Sequence, residues 1–323
     1  MSTPSPVFGY PAGVMSRILD GKWVRDEIQK ECLPRVERLV AQAGRPPCLV
    51  VILAGSDPAS EIYVRGKVKA CQELGIASEK LTPPASVTTA ELLAEIDRLN
   101  RREDVDGILA QLPLPRQVDT RAVLAAILPE KDVDGLHPVN VGNLVANRAG
   151  LRPCTPCGIM ELLRRYEIPV AGQRAVVVGR SDIVGKPMAL LLLHQHATVT
   201  ICHSRTADLA QECARADILV AAIGRPAFIR REFIKPGATV IDVGMNRLSD
   251  PAEVVSLLAN APAKMALFEK NGSVLVGDVH PAEVAEIAAA YTPVPGGVGL
   301  LTIAMLMVNT IDAAERRLGL CSA

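Results

Sequence analysis

The stretch Val176-Val177-Val178-Gly179-Arg180-Ser181-Asp182-Ile183-Val184-Gly185-Lys186-Pro187 reads as a buried strand, a turn holding two glycines, and the entry to a helix from Met188 to His194. Such a turn aims unpaired backbone N–H groups and the positive end of a helix dipole at one spot, which suits phosphate. Its glycines stand six apart and do not spell G-x-G-x-x-G, so an ordinary strand-to-helix turn is the competing reading. The next strand, 198–202, runs into His203-Ser204-Arg205-Thr206, where a site for NAD usually carries an acidic residue to hold the ribose. Hydroxyl and guanidinium groups there, with Arg180, suit a 2′-phosphate and favour NADP over NAD.

Outward from this turn, further strands are expected at 218–223, 239–243 and 273–276, five in all, which fit one doubly wound sheet. An Ala-rich excursion, 248–272, precedes the last of them, and 299–318 reads as one long helix that packs back on the first half. In that first half, strands at 48–54 and 106–111 alternate with helices, the signature of βαβ units. Asp57, Pro58 and Gly75 are the expected start and stop of a helix reaching Leu74, and Thr155 is expected to cap a helix running to Tyr166. The fold class is therefore α/β with two domains, which 323 residues readily supply. Their expected extents are 1–152 with about 299–323, and 153–298.

Lys plus Arg and Asp plus Glu both number 35, which removes electrostatic support for nucleic acid or a membrane surface as main partner. Only nine aromatic residues stand in the chain, too few for a base-stacking platform. The eight cysteines are scattered and read as reduced thiols of a cytoplasmic protein; Cys154-x-x-Cys157 lacks the partners of a zinc site, and no metal is expected. Met1–Gly13 reads as a loose tail and not a signal peptide.

Tyr63 and Lys67 lie four apart on one helix face, with Gly66 between them, where a mid-helix glycine suggests close approach by something. A lysine on a helix is more often simply solvated. Gln111 follows a strand at its carboxyl end, where open α/β sheets bind ligands. Asp132 and Asp134 sit in the loop Lys131-Asp132-Val133-Asp134-Gly135 and could each be mere turn formers. Pro293-Val294-Pro295-Gly296-Gly297 is a rigid turn suited to lining a ligand site, or to linking two elements.

Taken together, YVRGKVKACQELGI (63–76), DGILAQLPLP (106–115), PEKDVDGLHPVNVGNL (129–144), PCTPCGIMELL (153–163), VVVGRSDIVGKPMALLL (176–192), VTICHSRT (199–206), GATVIDVGMNR (237–247) and TPVPGGVG with the later NT (292–310) resemble the bifunctional methylenetetrahydrofolate dehydrogenase/methenyltetrahydrofolate cyclohydrolase family. Eight strings in that family's order make the resemblance specific. It implies a folate-binding catalytic domain, a Rossmann-like NADP domain, a folate cleft between them and a homodimer. It implies that Lys67 is the catalytic lysine, Gln111 its hydrogen-bond partner, Tyr63 the ring stacked on folate and Asp134 the anchor of the pterin. Pro293, Val294, Pro295, Gly296 and Gly297 become the cleft wall, and Gly179, Arg180, Ser181, Ser204 and the backbone at Met245 the NADP contacts, to which the residue types after the 198–202 strand add Arg205. Gly299-Leu300-Leu301-Thr302 stands where Gly-Pro-Met-Thr is usual, Asp278-Val279-His280-Pro281 where Asp-Val-Asp-Phe is usual, and 248–272 is longer than typical. A diverged paralogue with one activity, or with a modified one-carbon carrier, is the alternative those departures leave.

Overall fold

The computed structural model describes residues 16–55 and 57–320; the expected tail Met1–Gly13 and Cys321 lie outside them. In chain order, β1 (Arg17–Ile18) and α1 (Gly21–Ala43) precede β2 (Cys48–Ile52), α2 (Pro58–Leu74), β3 (Ala77–Leu81), α3 (Thr89–Arg101), β4 (Gly107–Ala110), α4 (Thr120–Ala126), α5 (Pro138–Val145) and α6 (Cys154–Arg165). Then follow β5 (Arg174–Val178), α7 (Gly185–His194), β6 (Thr198–Cys202), α8 (Leu209–Cys213), β7 (Ile218–Ala221), β8 (Thr239–Asp242), β9 (Asn246–Leu248), α9 (Pro251–Leu258), α10 (Pro262–Asn271), β10 (Val274–Val276), α11 (Pro281–Ile287), β11 (Ala290–Tyr291) and α12 (Val298–Arg317). By packing, these fall into two compact units. Among the described residues, one gathers Gly21–Glu167, Ser181–His194 and 298–320; the other holds 16–20, Ile168–Arg180 and Gln195–Gly297. Thus α6 and α7 pack with the first unit, whereas the sequence reading starts the second domain at residue 153.

The first unit is built on a parallel sheet of order β3-β2-β4. Leu49, Val50 and Val51 of the central strand are wholly buried, the pattern of a strand covered on both faces. Around it, α12 packs on α1, α2 and α6. The 23-residue α1 contains Pro34, a helix breaker by intrinsic preference, yet Val24, Ile28, Cys32, Val36 and Leu39 are all buried at helical spacing, and packing overrides propensity. At the start of α2, Asp57 accepts from the Ser60 N–H at 2.8 Å, and Gly75 closes the helix at φ 71°, as expected from the residue types.

Two buried charges brace this unit. The Lys131 ammonium donates to the carbonyls of Leu99, Asn100 and Arg102 (3.1, 2.8 and 2.6 Å), so a cation satisfies the open end of α3. Asp106 pairs with Arg45 and Arg317 and accepts from the Cys48 N–H, tying the starts of β2 and β4 to the end of α12.

The second unit is a parallel sheet of order β1-β11-β8-β7-β5-β6. Strand order reverses at β5, so the crevice expected to take a ligand lies outside the carboxyl ends of β5 and β7. The fifth strand read from the sequence, 273–276, is a correction: it is β10, and it pairs antiparallel with β9 in a separate ribbon. Its place in the sheet is taken by the two-residue strands β1 and β11, too short to give an alternation pattern. The 248–272 excursion is α9 and α10, docked through Val254, Leu258 and Ala261 against Ala227, Leu248, Val274 and Val276.

Candidate active site and dinucleotide turn

Lys67 stands in the middle of α2 with only 7% of its surface exposed, so the bland reading of a solvated lysine fails. Its Nζ donates to Gln111 Oε1 at 2.8 Å, and Gln111 Nε2 donates to the Leu112 carbonyl at 2.8 Å, which orients the amide with its oxygen toward the ammonium. Burial pushes the Lys67 pKa down from its usual value, while the nearby Asp134 carboxylate pulls it up. Conversely, burial raises the Asp134 carboxyl, offset by Lys67 and by a hydrogen bond from the Cys154 thiol. Tyr63, one helical turn before Lys67, is partly buried, and desolvation raises its phenol. At Gly66 an added Cβ would stand 3.0 Å from Ile303 Cδ1 of α12, so the close approach foreseen includes a neighbouring helix.

The two loop aspartates separate in role. Asp132 accepts from the His137 N–H (2.7 Å) and Asn140 Nδ2 (2.8 Å) and so fastens the start of α5. Asp134 is left to interact with Lys67. The loop between them is held by Asn309 of α12, whose Nδ2 donates to the carbonyls of Val133 and Arg152, both at 2.8 Å. Gly135, at φ 71°, lies so close to this turn that a Cβ would fall 2.3 Å from the Arg152 carbonyl carbon. Asn309 and Lys131 had no assigned role from sequence; the NT string at 309–310 was the signal for the first. The expected capping role of Thr155 is a correction: α6 starts at Cys154 with Pro153 before it, so Thr155 lies inside the helix, and its Oγ1 meets Thr302 Oγ1 of α12 at 2.8 Å.

The other expected residues belong to the second unit, Ser181 excepted. After β5, Gly179 has φ 134°, and a Cβ there would collide with the Ala222 carbonyl oxygen at 2.2 Å, so only glycine lets the ends of β5 and β7 approach at the switch point. Arg180, Ser204 and Arg205 are exposed, and neither guanidinium has a carboxylate partner among the described residues. Around them the turn is tied down, with the His203 N–H donating to Thr206 Oγ1 and the Arg205 N–H to His203 Nδ1. Ser181 Oγ accepts from Val184 and Gly185 N–H and caps the entry to α7. Met245 is exposed just past β8, and its neighbour Gly244 donates its N–H to Asp242 Oδ1. A rigid positive turn with free donors and no acid at the end of β6 fits a dinucleotide bearing a 2′-phosphate.

In the Pro293–Gly297 turn, Gly296 has φ 105°, and a Cβ at Gly297 would lie 2.6 Å from the Pro293 carbonyl oxygen, so the chain folds back on itself where only glycines fit. Two of the departing residues, Leu301 and His280, have structural tasks. Leu301 is wholly buried, facing Gly158, whose added Cβ would stand 2.6 Å from the Leu301 Cβ. His280 Nδ1 accepts from the Glu283 N–H at 3.3 Å, the task of a capping carboxylate at the start of α11.

The chain matches the family model of the tetrahydrofolate dehydrogenase/cyclohydrolase catalytic domain over residues 19–134, and that of the same family's NAD(P)-binding domain over 153–318. It is 64% identical over 307 residues to the bifunctional protein FolD of Solibacter usitatus, covering 95% of this chain and 100% of that one. The solved bifunctional FolD of Campylobacter jejuni is 42% identical with a TM-score of 0.84, over 94% of this chain and 99% of that one. The Trypanosoma brucei methylenetetrahydrofolate dehydrogenase-cyclohydrolase, solved with NADP cofactor and an inhibitor, is 41% identical with a TM-score of 0.85 over the same shares. With both domain models matched in order and identity this high across the full length, the chain belongs to the tetrahydrofolate dehydrogenase/cyclohydrolase family.

Proposed function

We propose that this protein oxidises methylenetetrahydrofolate to the methenyl form with NADP and then hydrolyses the methenyl form to formyltetrahydrofolate. The observation that carries this reading is the buried Lys67 side chain of the first unit, bonded to Gln111 and within electrostatic reach of Asp134. Bound NADP would supply the hydride acceptor, and Arg180, Ser204 and Arg205 would hold its 2′-phosphate, with Gly179, Ser181 and the Met245 backbone as the further contacts. The chain's own task in that step is alignment of two flat ligands. Tyr63 stacks on the folate, Asp134 anchors the pterin, and Pro293–Gly297 form part of the folate wall.

Hydrolysis asks more of the side chains. Water adds its oxygen to the methenyl carbon, the bond from that carbon to one ring nitrogen breaks, that nitrogen gains a proton, and one proton is released overall. In its neutral form, which burial favours, Lys67 accepts a proton from the attacking water, and the ammonium so formed, held by Gln111, returns one to the leaving nitrogen. The catalytic and folate-binding domain is assigned to 1–152 with 299–323 and the NADP domain to 153–298; a cytoplasmic homodimer completes the reading, on the strength of the family resemblance. Following NADPH and methenyl absorbance together, with methylenetetrahydrofolate and NADP, tests it. NADPH should appear while methenyl stays low; methenyl accumulating to the level of NADPH would mean that the hydrolytic half is absent and would favour the single-activity paralogue.

A further inference from the structure

The excursion between β9 and β10 reaches beyond its own satellite core through one side chain. Lys264, in the first turn of α10, donates from Nζ to the Leu275 carbonyl of β10 at 2.7 Å and to the Val294 carbonyl at 2.5 Å. The second acceptor is the backbone of the Pro293–Gly297 turn. The ammonium borders a cavity of about 140 Å³ whose wall also includes Asp242, Gly277, Thr292 and Pro293. Asp242 faces it there, and Thr292, beside the turn, accepts from the Asp242 N–H at 2.7 Å. A charge-assisted bond to a carbonyl is roughly twice as strong as a neutral one. Two such bonds from one ammonium connect α10, β10 and the turn, while Met265 and Phe268 of the same helix pack on the core below.

We propose that Lys264 is a positioning residue for folate: by holding the Val294 carbonyl it sets the course of the Pro293–Gly297 turn, so that α9 and α10 tune how tightly this enzyme binds its folate. The proposal rests on the reading of that turn as part of the folate wall. The test is steady-state dehydrogenase kinetics of Lys264→Met and Lys264→Arg, with hydrogen exchange of residues 290–298. Lys264→Met should raise the folate KM three- to tenfold, leave the NADP KM within twofold and speed exchange in the turn; Lys264→Arg, which keeps two donors, should recover most of the folate KM. A folate KM unchanged in Lys264→Met, or NADP and folate KM rising in parallel, overturns the proposal. Pro295→Ala separates the two ideas. If it raises the folate KM while Lys264→Met does not, the latch alone fails; if neither does, the wall reading fails and the latch with it. Should Lys264→Met not fold, Lys264→Gln, which keeps an amide donor, is measured in its place with the same expected split between folate and NADP.

Discussion

The pocket around Lys67 and the turn around Gly179 solve opposite problems. In the first, every charged group already has a partner in the protein: Lys67 has Gln111 and Asp134, and Asp134 has Cys154. In the second, Arg180 and Arg205 project into solvent with no acid to meet them among the described residues. Chemistry on a proton needs a group whose pKa is displaced, and displacement needs burial. Binding a phosphate needs donors that are free, and freedom needs exposure. The first region should therefore show its importance in turnover and the second in cofactor choice.

The sharpest way to break this contrast is Lys67→Met, which keeps the length of the side chain and removes the ammonium. A positioned proton carrier contributes typically about 10² to 10⁴-fold. Methenyltetrahydrofolate hydrolysis, corrected for the spontaneous rate, should fall by a factor in that range, and the dehydrogenase should suffer less. Near-normal hydrolysis would return Lys67 to a packing role.

Next in size is Arg180→Ala. Charge-assisted hydrogen bonds to a phosphate are each worth about 1.5–3 kcal/mol, so the ratio of kcat/KM for NADP over NAD should drop roughly ten- to a hundredfold. If the unmutated enzyme used both cofactors equally well, the free guanidinium would have no part in selection.

Asp134→Asn tests the division of labour between the regions and should have a smaller effect. The folate KM is expected to rise about tenfold with NADP KM nearly unchanged, since Asp134 and the dinucleotide turn draw on different units of the chain. An unaltered folate KM and turnover would make Asp134 a turn former like its neighbour Asp132.

The same contrast governs what could be read without coordinates. The Gly179 turn was legible because a strand, two glycines and a helix are local, and because the missing acid after β6 is a statement about residue types. Lys67 and Gln111 are 44 positions apart, and residue types alone left Lys67 a solvated helix lysine; only the family resemblance joined them. Residue types could not tell Asp132 from Asp134 either, because two residues apart in a loop they differ only in which neighbours the fold brings near. Asn309 lay further out of reach: its partners, the carbonyls of Val133 and Arg152, are backbone atoms that carry no sequence signal. In the fold itself, α1 was hidden by Pro34 and β1 and β11 by their brevity, while 273–276 had a strand's composition without the sheet that composition suggested.

The smallest expected effect bears on why the Lys67 pocket is costly to keep. Burial holds the Lys67 pKa below its unfolded value of 10.5, so across the window between the folded value and 10.5 the unfolded chain binds more protons, and stability rises with pH there. Lys67→Met removes the titrating group, so that slope should be absent from the variant, while Asp134 loses its cation and Gln111 Oε1 its donor. Relative to the variant, the parent's thermal midpoint should therefore climb as pH rises toward 10.5, by roughly 2–4 °C for each kcal/mol in a domain of about this size. A difference between the two that stays flat with pH, or that moves in the variant's favour, would mean that Gln111 and Asp134 fully compensate the ammonium, and the displaced pKa on which the hydrolytic role depends would lose its physical source.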